Sequence, residues 1–316
     1  MAETILVSGH KNPDNDAISA AVGYAWLKNE VAKRSANGGE PDVVYKPVRL
    51  GPLPPETSWV LEQGGIEAPE LIDHVEPGQK IILVDHNETR QAVDGLADAQ
   101  LVEIIDHHRI GDVSTVVPIK FLNLPLGSSC TIVTLEACRL GVGIPASIAR
   151  VLLSAVLTDT VILKSPTATD VDREQVAFLS EIVGVDPTEF GLAIFRTRGG
   201  EEGIPIEKFV CADSKEFPVE GGVALIAQHE TVDLESALKR EDEARAYMDG
   251  LVAEKGYKFV LLLVTDILAE GSQFICQGDR SIVNKAFGID CTGKGGTWMP
   301  GVLSRKKQVA PKVVAN

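Results

Sequence analysis

The chain has 316 residues and a formal net charge of −15, a balance that excludes a nucleic-acid partner held by long-range attraction, because phosphate backbones need a positive footprint. Hydrophobic residues make up 44% and aromatic ones only 5%, which suits α/β cores of Val, Ile, Leu and Ala. At this length the chain is expected to form about two domains. The five cysteines are odd in number and contain no CxxC pair, so they read as reduced thiols in a soluble, cytoplasmic protein. The longest apolar run, Phe259–Val264, is too short to span a bilayer, and no secretory signal precedes the first strand, so no membrane partner is expected.

Thr4–Val7 reads as a strand that leads through Ser8 and Gly9 to His10, with Asp14 and Asp16 just beyond. Ala17–Glu30 has helical spacing, and either acid could simply cap that helix; capping explains neither the second acid nor His10. Lys33–Glu40 is a polar surface loop, Val43–Tyr45 a strand and Pro54–Glu62 a short helix. Residues 80–85 and 101–105 are mainly apolar runs, as buried parallel strands require. The first ends in Asp85, His86, Asn87 and Glu88, the second in Asp106, His107 and His108. Alternation of such strands with helices predicts βαβ units and a mainly parallel sheet, whose ligands gather at the carboxyl ends of the strands.

Helices are expected over Ser128–Leu140 and within Ile144–Leu163. The second carries Asp159 among apolar neighbours, where an acid is costly unless it is paired or bound to metal. Further helices cover Asp170–Ile182 and open at Asp186 and Pro187, and residues 197–203 have the composition of a hinge. Beyond it, strands are predicted at 222–228, 257–265 and 273–277, with one long charged helix over 234–254. Ala212–Phe217 reads by itself as a charged turn. Cys291–Thr297 is a loop, since it lacks the GxxxxGK[ST] pattern of a phosphate-binding loop. Ser304–Gln308 is a cationic cluster in an acidic protein, either a solvated tail or an anion clamp.

If His10, Asp14, Asp16, Asp85, His107 and Asp159 converge, four carboxylates meet two imidazoles. Two carboxylates about 4 Å apart repel by roughly 4 kcal/mol at an effective dielectric of 20, so cations would hold such a site together. Two divalent ions match the four negative charges, and mixed imidazole and carboxylate donors suit Mn2+ or Co2+ better than Mg2+. A two-metal centre can lower the pKa of a shared water and orient it towards phosphorus, which implies phosphoester or phosphoanhydride hydrolysis.

Four stretches, His10–Asp16, Val84–Glu88, Ile105–Arg109 and Ser304–Gln308, together with Leu157–Asp159 and Asp213–Phe217, resemble in order the family II inorganic pyrophosphatases of the DHH phosphoesterase superfamily. The resemblance implies a metal-binding DHH domain over 1–196 and a smaller α/β substrate-clamping domain over 197–316, with the active site in the cleft between them. It implies His10, Asp14 and Asp85 on one metal and Asp16, Asp85, His107 and Asp159 on the other, Asp85 bridging. His108, Lys215, Arg305 and Lys306 are implied as contacts to the pyrophosphate, which carries further Mg2+ or Mn2+. Two metals per subunit, attack by a hydroxide they activate and a homodimer joined through the first domain complete the expectation. Two alternatives stand beside it: another DHH phosphoesterase acting on short nucleotides, and a non-catalytic metal-binding regulatory protein.

Overall fold

In the computed structural model, which describes residues 2–197, 201–291 and 293–314 without the Lys307 side chain, the apolar runs of the first half become the middle of a parallel sheet. The chain divides into two compact units, Met1–Arg198 and Gly199–Asn316. Of the expected hinge over 197–203, residues 198–200 lie outside the described residues.

The first unit has strands β1 (Glu3–Lys11), β2 (Val43–Leu50), β3 (Glu70–Leu71), β4 (Lys80–Val84), β5 (Gln100–Asp106) and β6 (Lys120–Asn123). They lie in the order β3-β2-β1-β4-β5-β6, every neighbour parallel. Between β1 and β4 the winding of the chain reverses direction, and the crevice beyond the carboxyl ends at that point is where α/β sheets hold their ligands. Val7, Ile81, Ile82, Leu83 and Ile105 are wholly buried, because helices cover one face and the connecting segments that carry Val75, Val93 and Leu96 cover the other, leaving no side to alternate towards water.

Those helices are α1 (Asn15–Ser35), α2 (Pro55–Gly64), α3 (Ser129–Arg139), α4 (Ala146–Asp159), α5 (Asp170–Val183) and α6 (Pro187–Arg196). From Val151 to Leu157, α4 is buried on every side, as an apolar helix at the centre of a unit must be. Three boundaries of this unit differ from the expectation by more than two residues. Strand β1 runs past Val7 as far as Lys11, so His10 belongs to the strand itself, α1 continues to Ser35, so the surface loop begins later, and β2 runs past Tyr45 to Leu50. The short edge strands β3 and β6 had no sequence signal of their own.

The second unit contains α7 (Ile206–Cys211), β7 (Asp213–Val219), β8 (Gly222–Thr231), α8 (Leu234–Leu238), α9 (Glu241–Lys255), β9 (Phe259–Asp266), β10 (Gly271–Gly278), α10 (Ser281–Phe287), β11 (Thr297–Pro300) and α11 (Ala310–Val314), the last entered through a π-helical turn at Arg305–Val309. Its sheet has the order β11-β10-β9-β8-β7, mixed, with β8 and β9 its parallel pair. Along β9, Phe259, Leu261 and Leu263 enter one core while Val260, Leu262 and Val264 enter another, so this sheet too is covered on both faces.

Two expectations for this half are corrected. Ala212–Phe217 is no turn: from Asp213 onward it is the edge strand β7, where charged residues and Pro218 are tolerated because one side of the strand forms no ladder. The long helix over 234–254 is two helices. Arg240 leaves helical geometry between them and donates to the carbonyls of Glu201 (2.7 Å) and Ile204 (2.5 Å) where the chain enters the unit. The loop beginning at Cys291 gives way at Thr297 to the edge strand β11. Within it the Gly295 N–H points at the Glu241 carboxylate (2.8 and 2.9 Å), so the protein's own anion occupies that amide. Among the described residues no helix is long and apolar enough to cross a membrane.

Candidate metal centre

Three strand ends and one helix end of the first unit bring the expected ligands together. At the end of β1 the backbone turns through Asn12 (φ 52°), and the Asp14 carboxylate accepts from Ala17 N–H (2.9 Å) to open α1. Capping and participation in the cluster are therefore compatible roles for Asp14. Gly9 permits the tight entry, since a Cβ there would lie 2.5 Å from the Ala17 carbonyl oxygen. Asp85 follows β4 in the left-handed region (φ 64°), a conformation Asp tolerates better than a β-branched residue, while its N–H still donates to Ile105 O (2.9 Å). His107 follows the last residue of β5, and Asp159 is the last residue of α4.

His10 Nε2 lies 3.7 Å from Asp14 Oδ1 and 3.5 Å from Asp85 Oδ2. His107 Nε2 lies 3.3 Å from Asp85 Oδ1, 3.7 Å from Asp159 Oδ2 and 3.9 Å from Asp16 Oδ2. The donor atoms form overlapping groups, His10/Asp14/Asp85, Asp16/His107/Asp159 and Asp85/His107/His108, each within 4.8 Å. Asp85 belongs to two of them and offers a different oxygen to each imidazole.

The imidazoles are oriented from behind. Nδ1 of His10 donates to Lys11 O (2.8 Å) and Nδ1 of His107 to Leu126 O (2.9 Å), which leaves both Nε2 lone pairs facing the carboxylates. His107 Nε2 is buried with no hydrogen-bond partner, as a ligand atom awaiting a cation would be. Burial pushes the Asp85 and Asp159 carboxyls well above the ordinary range, and the nearby charge of Asp16 adds to the shift. For Asp159 the negative end of α4 acts in the same direction. Burial opposes protonation of His10, but its bonds to Asp14 and to Lys11 O outweigh it and raise the pKa. His107 is likewise raised, against burial, by the Asp16 charge and Leu126 O. Carboxylates that repel one another around unprotonated Nε2 atoms fit divalent cations of Mn2+ type.

His108 is 53% exposed at its side chain, and its Nδ1 donates to Asp106 Oδ1 (2.9 Å). Asp106, fully buried, also accepts from the N–H groups of His107 (2.8 Å) and His108 (3.1 Å) and from the Asn87 amide. Burial pushes its pKa up, but these bonds, His108 first, carry it below the ordinary value. The supporting role of Asp106 was not read from the sequence, although its place before two histidines was the available signal. Ser128 and Ser129 were also missed. Ser128 Oγ donates to Asp16 (2.7 Å) and Ser129 Oγ to Asp85 (2.9 Å), and nothing local marks two serines at a helix start as partners of acids 112 and 44 residues away.

The expected cations Lys215, Arg305 and Lys306 are all in the second unit. Lys215, exposed on β7, sits opposite Ile226 of β8, and Arg305 donates to the Ile226 carbonyl (3.3 Å), so two of the three gather at one place on that sheet. Arg305 is only 11% exposed at its side chain, pairs with Asp213 (2.6 Å) and takes the Gln228 side-chain oxygen on its backbone N–H (2.9 Å). It is no solvated tail. Lys306 is exposed.

Residues 4–158 match the DHH family, N-terminal domain, and residues 192–315 match the DHHA2 domain. Over 98% of this chain and 97% of the relative, the sequence is 41% identical to a probable manganese-dependent inorganic pyrophosphatase of Archaeoglobus fulgidus. With the same coverage it is 37% identical to the manganese-dependent inorganic pyrophosphatase of Bacillus subtilis. Among solved structures it resembles a putative family II inorganic pyrophosphatase of Methanococcus jannaschii, with a TM-score of 0.59, 33% identity and 98% of each chain covered.

Proposed function

The chain belongs to the manganese-dependent, family II inorganic pyrophosphatases, and we infer from that membership and from the first unit's ligand cluster that it hydrolyses inorganic pyrophosphate to two phosphates. The observation that carries the reading is the convergence of His10, Asp14, Asp16, Asp85, His107 and Asp159 at the sheet's switch point. The enzyme depends on manganese. We propose two Mn2+ (or Co2+) per subunit. His10, Asp14 and Asp85 would hold one, and Asp16, His107 and Asp159 the other, with Asp85 shared; the division of its two oxygens supports this. When bound, such cations acidify water and neutralise phosphoryl charge.

The chain's own residues do the rest. His108, fixed through Nδ1 by Asp106, presents Nε2 to a phosphate oxygen and can pass a proton to the departing phosphate. Lys215, Arg305 and Lys306 bind the phosphate oxygens of pyrophosphate, which arrives as its Mg2+ or Mn2+ complex, and Arg305 offers a planar fork suited to two oxygens at once. Residues 1–196 thus supply the metal centre and residues 197–316 the substrate clamp.

A homodimer joined through the first unit belongs to the same reading. It is supported by β6 at the edge of the parallel sheet and by the exposed apolar side chains of Ile110, Val116, Val117 and Phe121 on and before it. Phe121→Glu should shift the species seen by light scattering from dimer to monomer, and a wild-type chain that is monomeric and active excludes the dimer. Cytoplasmic residence is supported by the five free cysteines.

The deciding assay is phosphate release from pyrophosphate with Mn2+ and with Mg2+, beside an adenosine phosphate as control. Faster cleavage of the nucleotide overturns the substrate, and full activity with Mg2+ alone after exhaustive chelation overturns the manganese dependence.

A further inference from the structure

The segment Leu126–Thr131, which joins the sheet to α3, touches three of the proposed ligands at once. The Leu126 carbonyl takes His107 Nδ1 (2.9 Å). Asp16 accepts from Ser128 Oγ (2.7 Å), Ser129 N–H (2.6 Å) and Cys130 N–H (3.1 Å), and Asp85 accepts from Ser129 Oγ (2.9 Å). All of these serine and aspartate side chains are buried.

The same segment is gripped from its other side by α5. Asp172, fully buried, accepts from Gly127 N–H (2.9 Å) and Thr131 Oγ1 (2.6 Å), and it completes the cap of its own helix through Thr169 N–H (2.8 Å) and Oγ1 (2.7 Å). The fit leaves no slack, since a Cβ on Gly127 would lie 2.5 Å from Thr160 Cγ2 and 2.9 Å from Asp172 Oδ2. Gripped at Gly127 and Thr131, the segment holds the donors of Ser128, Ser129 and Cys130 at set positions between those two points.

We propose that Ser129 and Asp172 are positioning residues for the metal centre: Ser129 aims the shared Asp85 carboxylate, and Asp172 acts at a distance by fixing the segment that carries Ser129. Ligand geometry is tuned by such outer hydrogen bonds because a carboxylate left free to rotate must be ordered when the cation arrives, at a cost in affinity. The packing of α5 against the segment thereby becomes a determinant of how tightly metal is held. The proposal rests on the metal-centre reading above, and its test separates the two.

Full-length protein freed of metal is titrated with Mn2+ by calorimetry and melted with and without Mn2+. Ser129→Ala should weaken Mn2+ binding by about 10–100-fold, the range for partners one hydrogen bond behind a metal ligand, and shrink the Mn2+-induced rise in melting temperature. The melting temperature of the metal-free protein should stay close to wild type. Asp172→Asn should weaken Mn2+ binding as well, and the double variant should lose less than the product of the single effects, because both act through one segment. Unchanged Mn2+ affinity in Ser129→Ala overturns the proposal, as does a loss of metal-free stability as large as the loss in the loaded protein. Independent effects of the two substitutions remove Asp172 from it. The Ser129→Ala measurements decide the matter even if Asp172→Asn does not fold. A wild-type chain that takes up no Mn2+ overturns the metal-centre reading instead.

Discussion

The two units treat charge in opposite ways. In the first, like charges are crowded: Asp16, Asp85 and Asp159 lie around His107, and the carboxyls of buried Asp85 and half-buried Asp159 are pushed well above the ordinary range. In the second, the cation that counts is already paired, with Arg305 on Asp213. A cluster that repels itself must be completed from outside by cations or protons, whereas a paired cation can exchange one anion for another at small net cost. The difference supports the proposal that metal belongs to the first unit and the substrate anion to the second.

Parting the two units should have the largest effect. A chain ending at residue 198 should fold and bind Mn2+ yet release almost no phosphate from pyrophosphate, and near-normal turnover in that fragment would remove the second unit from the chemistry. Within the whole chain, Asp85→Ala should lose bound Mn2+, and its turnover should fall by more than the about 10²–10³-fold that loss of one charge-stabilising donor costs. Lys306→Ala should fall by about 10²–10³-fold while keeping its full metal content. Equal metal loss in both variants, measured by elemental analysis, would show that the roles are not divided between the units.

Protons sharpen the same contrast. Asp85 and Asp159, raised by burial first and by the Asp16 charge second, hold protons in the metal-free protein above the pH at which free carboxyls lose them, and His10 and His107 are raised as well. Metal requires these groups unprotonated, so binding must expel protons, and Mn2+ affinity should rise with pH by about tenfold per pH unit for each proton displaced. Groups whose folded pKa is raised take up protons in competition with metal as pH falls. Calorimetric titrations in buffers of different ionisation enthalpy count the protons, and an affinity that does not change with pH would contradict the crowded-cluster description. The smallest effect belongs to the second unit. Asp213 is 62% exposed, so solvent screens its pair with the mostly buried Arg305 to about 0.2–1 kcal/mol, and Asp213→Asn should lower the KM for pyrophosphate by about 1.5- to 5-fold by freeing Arg305. A raised KM would mean that Asp213 orients Arg305 and does not compete with substrate.

By itself, the sequence determined the chemistry of the ligands and the class of the fold. Apolar runs that give way to His10, Asp85 and His107 are local signals, since a strand buried on both faces needs no long-range information to be recognised and its carboxyl end is where ligands collect. The isolated acid at Asp159 was legible for a similar reason: an unpaired carboxylate in an apolar helix has a cost that its neighbours alone reveal. Tertiary structure alone decided what holds those ligands in place. Ser128 meets Asp16 across 112 residues, Ser129 meets Asp85 across 44 and Arg305 meets Asp213 across 92. Edge strands such as β7 escaped because half of their backbone needs no partner, so charge and proline are tolerated there and the apolar pattern is lost. Hydrogen-bond partners far apart in the chain leave no periodicity between them, and only the closed fold brings donor to acceptor.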